Sequence, residues 1–125
     1  MTAVILLIQF LHYPSFHFIA ADKFASFHKF HSDRISFIVA PVMLLELLTA
    51  YFLLYYNPQS PLNLFNFLSI LLIFGLTAFV SVPLHKRLEK GYDKDVVRRL
   101  VSTNWQRTLI WLARSFILGY SFFKF

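Results

Sequence analysis

The chain has 125 residues, room for one domain, and 58% of them are hydrophobic against 14% charged, giving a mean hydropathy of +0.60. That balance argues against a soluble domain and for an integral membrane protein. Cysteine is absent, which excludes disulfide scaffolds, CxxC redox relays and thiolate metal sites, so any redox chemistry needs a cofactor. The net charge of +6 does not announce a nucleic-acid partner, because the basic residues collect in two loops instead of spreading over a soluble face.

In chain order, the first apolar run covers about residues 2–20, near the ~20 residues that span hydrocarbon as a helix. It lacks a basic start and a small-residue cleavage pattern and contains Gln9, His12 and His17, so it reads as a mature span and not as a signal peptide. Gln9 and His12 share a helical face, with Tyr13 and Phe16 beside them, and Pro14 removes a ladder donor where the histidine points. Asp22 then reads as the N-cap of a short helix that carries Phe24, Phe27, His28 and His31 on one face.

The second run, about 35–56, encloses Glu46. Asn57, Pro58, Gln59, Ser60 and Pro61 cannot continue a helix and form a tight turn, so the third run, about 62–82, is an antiparallel neighbour of the second. His85 follows Pro83 at its end. After Gly91, Asp93 or Asp95 caps a second short helix, whose apolar stripe of Val96, Val97, Leu100 and Val101 opposes Lys94, Arg98 and Arg99. That pattern suits a helix lying on an anionic leaflet. The fourth run, about 105–123, is preceded by Thr103 and Asn104, which serve either as caps or as hydrogen-bonding support behind the histidines or to a polar substrate head.

The expected fold is therefore all-α: an antiparallel bundle of four transmembrane helices with two short cytoplasmic amphipathic helices, one domain over 1–125. Lys23, Lys29 and Arg34 lie in one loop, and Lys86, Arg87, Lys90, Lys94, Arg98, Arg99 and Arg107 in another. The positive-inside rule puts both in the cytoplasm and both termini outside, as in a bacterial inner membrane.

Polar residues inside apolar runs are the functional suspects. Glu46 stands twelve residues after Arg34 and Arg114 seven after Arg107, so both lie below the surface at similar depth. An unpaired charge there costs ~2.5–3.5 kcal/mol or more, which favours their pairing with each other or with an ion. His28 and His31 form an HxxH pair on one helical face. With His12 and His85, and with Glu46 at comparable depth, they make a nitrogen-and-oxygen set suited to iron, copper or zinc. His17 is off the Gln9/His12 face and near the rim.

The strings HYPSF (12–16), FHKFH with DRISF (27–37), PVMLLE (41–46), VPLHKRL (82–88) and TNWQRT (103–108) resemble a family of small bacterial four-span membrane proteins. More distantly, the VPL element ending span three and the NW-x-R-T element opening span four resemble the anthrone-oxygenase-like membrane family. That second resemblance covers about a third of the chain and implies a small membrane oxygenase for an aromatic or quinol-like compound. By motif it carries over only His85, Asn104 and Arg107, with His85 standing where an asparagine is common.

Three functions follow as expectations. The first is a membrane-embedded metal-dependent oxidoreductase, an oxygenase among the options, taking a hydrophobic small molecule from the bilayer. There His12, His28, His31, His85 and Glu46 hold the metal, Glu46 moves a proton, and Arg107 or Arg114 stabilises negative charge. The second is a haem b electron carrier with His12 and His85 as axial ligands and Asn104 nearby. The third is a non-enzymatic transport or binding component, which in so small a bundle requires a homo-oligomer.

Overall fold

The computed structural model describes residues 1–124. Phe125, the last residue of the expected domain, lies outside the described residues. These form four helical rods and no strand: α1 (Thr2–Phe18), α2 (Ala21–Tyr56), α3 (Pro61–Leu88) and α4 (Lys94–Phe123). Of these, α2 and α3 are long and apolar enough to cross a membrane.

The turn between α2 and α3 follows from its side chains. Ser60 caps α3 by accepting from the Asn63 amide at 3.3 Å, Pro61 occupies the first turn, where no donor is needed, and the Asn63 side chain donates to the Leu53 carbonyl at 2.9 Å. At the opposite, basic end the chain passes from α1 to α2 and from α3 to α4. The second of these connections holds Gly91 at φ 136, a backbone state only glycine adopts cheaply. Asp93 then caps α4, accepting from the Asp95 amide at 2.9 Å and the Val96 amide at 3.1 Å, as its position suggests.

The two short amphipathic helices do not exist as separate elements. Residues 21–34 form the first part of the 36-residue α2, and residues 94–104 form the first part of the 30-residue α4. Their stripes are helical, but no glycine or proline separates either from the start of the run that follows, so the helix continues. For the same reason Thr103 and Asn104 lie mid-helix and cap nothing; Asp22 sits inside the first turn because α2 starts at Ala21 with Ala20 as its N-cap.

The core runs the length of the rods. Ile5, Ile8, Met43, Ala50, Ile70, Ile73 and Trp111 fill its middle, while Phe16, Phe24, Leu84, Leu88, Val97 and Leu100 fill the basic end. Outside, apolar side chains face away from the protein: Phe37, Tyr56, Phe79 and Phe116 are each at least 74% exposed. Large apolar side chains exposed in this number are unusual for a water-facing protein.

Candidate functional site

The sequence-suspected polar residues fall into two separate groups, one at the basic end and one in the middle of the bundle. Four imidazoles build the first. His12 ends a π-helical turn, Ile8–His12, just ahead of Pro14, and a second π turn, Thr77–Ser81, precedes Pro83 two residues before His85. In both, proline lacks the amide donor and crowds the carbonyl four residues back, and the helix responds by widening one turn. The same device thus aims His12 and His85 inward. His28 and His31 come from the basic end of α2, three residues apart on its buried side.

The rings meet in pairs. His12 Nε2 contacts His31 Nδ1, and His28 Nε2 lies 3.0 Å from His85 Nδ1, while the Tyr13 hydroxyl is 3.0 Å from His85 Nε2. Phe16, fully buried, presents its ring edge-on to His12, His28 and His31 and spaces them. Two ring nitrogens, His28 Nδ1 and His31 Nε2, are buried without a hydrogen-bond partner. His17 is not in the group: exposed on the rim, its Nδ1 meets the Tyr92 hydroxyl at 2.9 Å.

His28, His31 and His85 all precede Ile35 or follow Val82, outside the long apolar runs. Burial holds each imidazole below its usual range. His31 is pushed down to about 4, with His12 and His28 adding to the effect of burial. His85 is pushed down to about 3, with His28, His31 and Arg107 adding to it. These rings are neutral near pH 7, the state in which an imidazole accepts a proton or binds a metal.

Beside the imidazoles, α4 contributes Arg107, which is 5% exposed. Its Nη2 donates to the Asn104 side-chain oxygen and to the Tyr13 hydroxyl at 3.4 Å, and its Nη1 to the Thr77 hydroxyl at 3.3 Å. Asn104 is fixed in turn by Gln9, whose oxygen accepts from the Asn104 amide at 2.8 Å and from the Thr108 hydroxyl at 3.4 Å. Gln9 anchors itself by donating to the Val101 carbonyl at 3.2 Å. Gln9 and His12, expected to act on one face, therefore serve different neighbours.

The second group contains Glu46. Its Oε2 accepts from Arg114 Nη1 at 2.7 Å and from the Trp111 indole at 2.9 Å, and its Oε1 is 3.3 Å from the Met1 amino nitrogen. The Asn66 oxygen takes the other side of Arg114, at 2.8 Å from Nη2 and 3.2 Å from Nε. The Glu46–Arg114 pair expected from depth is present. Among the described residues Glu46 makes no hydrogen bond to an imidazole; its oxygens go to Arg114, Trp111 and the Met1 amino group. Arg114 lies seven residues beyond Arg107 on α4, ~10 Å along the axis, and is committed to Glu46 and Asn66.

A cavity of about 340 Å³ joins the two groups. Tyr13, Thr77, Ser81, His85 and Arg107 line its polar end, Ile5, Ile8, Val39, Met43 and Phe74 its length, and Trp111 its far wall. Its volume is at the low end of small-molecule sites, ~300–1,000 Å³. Among the described residues no three histidine or carboxylate groups converge as a ready-made metal shell. The donor set is instead two imidazole pairs. At 3.0 Å the His28–His85 nitrogens are close to the ~3.3 Å that separates two ligands on one tetrahedral metal at ~2.0–2.1 Å. His12 and His85, the expected haem ligands, each face another imidazole.

Family models, curated proteins and solved structures gave no significant match to the chain. The site is therefore described by its own geometry. Sequence reasoning passed over Asn66, Thr77 and Trp111, which complete the two groups. Nothing in their local pattern distinguishes them from ordinary residues of an apolar helix.

Proposed function

We propose that the protein is a four-span integral membrane protein, basic loops cytoplasmic, that binds a transition metal through imidazoles at its inner rim and acts as an oxidoreductase on a hydrophobic substrate in the adjoining cavity. The observation that carries this reading is the gathering of four imidazoles from α1, α2 and α3, two of them with buried, unpartnered ring nitrogens, at a wall of the cavity that His85 itself lines. Buried polar atoms left without partners are rare in native proteins and call for a ligand or a chemical role. Cysteine-free, all-nitrogen donors suit iron, copper or zinc.

A metal held there would supply Lewis acidity or electron transfer. The chain's own residues do the rest. His28 with His85 and His12 with His31 would be the two nitrogen pairs available to hold the metal, and the buried Phe16 ring packs edge-on against His12, His28 and His31 and keeps water out. Tyr13, which bonds both His85 and Arg107, holds a hydroxyl where a proton can pass between the imidazole and a substrate oxygen. Arg107 faces the cavity with positive charge for an oxygen that becomes negative.

The test is elemental analysis with an optical spectrum on freshly purified protein in mild detergent. Expected is close to one transition-metal ion per chain, lost in the His28→Ala/His31→Ala variant, and no Soret band. Absence of any transition metal from the unaltered protein, or an unchanged metal content in the double variant, overturns the reading. A Soret band would replace it with a haem carrier.

A further inference from the structure

Among the described residues no acidic group balances the charge of Arg107. Of the six acidic side chains in the chain, Glu46 pairs with Arg114, Asp33 with Lys29 and Asp95 with Arg98, and among the described residues none forms an ion pair with Arg107. All its hydrogen-bond partners are neutral: Asn104, Tyr13 and Thr77. Its Nε is buried with no partner at all. A guanidinium 5% exposed, lining a cavity whose remaining wall is mainly apolar, is stable only if something supplies the missing negative oxygen.

The same cavity has a side door. Ser36 and Ala40 of α2 and Ala78 and Val82 of α3 line it, and all four are exposed on the outer surface. Here two helices that pack closely near their shared turn leave a gap walled by small side chains, facing the surface that carries Phe37 and Phe79.

We propose that the cavity binds a hydrophobic molecule bearing one anionic oxygen group, carboxylate or enolate-like, which enters between α2 and α3 and places that group on Arg107 with its apolar body along Ile8, Met43 and Phe74. This deepens the functional reading by naming the substrate class; it rests on the cavity of that reading and not on its metal. Charge complementarity fixes the head group, because a neutral head leaves Arg107 as it is. The small volume restricts the body to a single chain or a compact ring system, which excludes a two-chain phospholipid.

The experiment compares laurate with dodecanol and naphthoate with naphthylmethanol, binding each to chelator-treated, metal-free protein in nanodiscs of zwitterionic lipid. Expected is a preference of tenfold or more for the acid in at least one pair, the pair showing whether the body is aliphatic or aromatic. The preference is expected to persist in Arg107→Lys in weakened form, to vanish in Arg107→Met, and to survive in His28→Ala/His31→Ala. An Ala40→Trp/Ala78→Trp variant, altered only at exposed positions, is expected to slow binding at least fivefold. Equal binding of acid and alcohol by the unaltered protein in both pairs, or no binding of either, overturns the proposal whatever the variants do. Loss of metal binding with the acid preference intact would remove the metal reading alone.

Discussion

The two polar groups of this bundle contain similar residues and differ in how completely they are paired. Around Glu46, charge and hydrogen bonds close on themselves: the carboxylate meets Arg114 and Trp111, and Asn66 takes the remaining face of the guanidinium. Around Arg107 and the imidazoles they do not, since Arg107 Nε, His28 Nδ1 and His31 Nε2 are buried and unpartnered. A closed network describes a part that holds helices together. An open one describes a part waiting for something, and only the second borders the cavity with its charged side chain.

Arg114→Leu tests that contrast most severely. It leaves the Glu46 carboxylate with only the Trp111 indole and the Met1 amino group, and the expected cost is ~3 kcal/mol of stability, the lower end for breaking a buried pair, read by unfolding in mixed micelles; Arg107→Met, which strands no charge, is expected to cost less than half as much. Equal losses would erase the distinction between the groups. Gln9→Leu comes next, at ~1–3 kcal/mol, because Asn104 and Thr108 lose a buried acceptor. Its second effect sharpens the comparison: with Asn104 released, acid binding at Arg107 should weaken, while the Glu46 group, which shares no residue with it, stays intact.

Acidification is expected to act more mildly, and on the histidine group. His31 and His85 have folded pKa values of about 4 and about 3 against ~6.5 unfolded, so the unfolded chain takes up protons first as pH falls. Their contribution to stability is complete above pH ~6.5 and is lost progressively between there and the folded values. Thermal unfolding should therefore shift downward from pH 7 to pH 5; a flat profile would mean that these rings are not held neutral. Last, His17→Ala should change stability by less than ~0.5 kcal/mol and leave metal content untouched, since its ring bonds only Tyr92 at the exposed rim.

Much of this was readable in the chain, and the reasons for the remainder are physical. The hairpin at Asn57–Pro61 follows from its prolines, a cap at Asp93 or Asp95 from their position after Gly91, and the Glu46–Arg114 pair from counting residues along two apolar runs. Each of these is a local or one-dimensional fact. The continuity of α2 was missed because composition marks where hydrocarbon would end, and a helix need not end there. Which imidazole meets which was out of reach, because it depends on how far each rod is rotated, and the widened turns before Pro14 and Pro83 reset that rotation midway along α1 and α3. Pro14 was noticed as a loosening of the backbone; the rotation it produces was not deducible.

The unbroken α2 has a further consequence. Its 36 residues measure ~54 Å at ~1.5 Å per residue, well beyond a hydrocarbon layer of ~30 Å. His28 and His31 ride on the surplus as on the shaft of a single lever. The helix continues through Pro41, where one ladder bond is missing, so bilayer thickness is expected to set how high the cluster stands: a thicker membrane draws it toward the headgroups, and a thinner one lifts it into water or bends or tilts the rod to compensate. Hydrophobic mismatch would thereby become a setting of the site itself, and if the proposed metal reading holds, the protein reconstituted in short-chain and long-chain lipids should differ in metal retention.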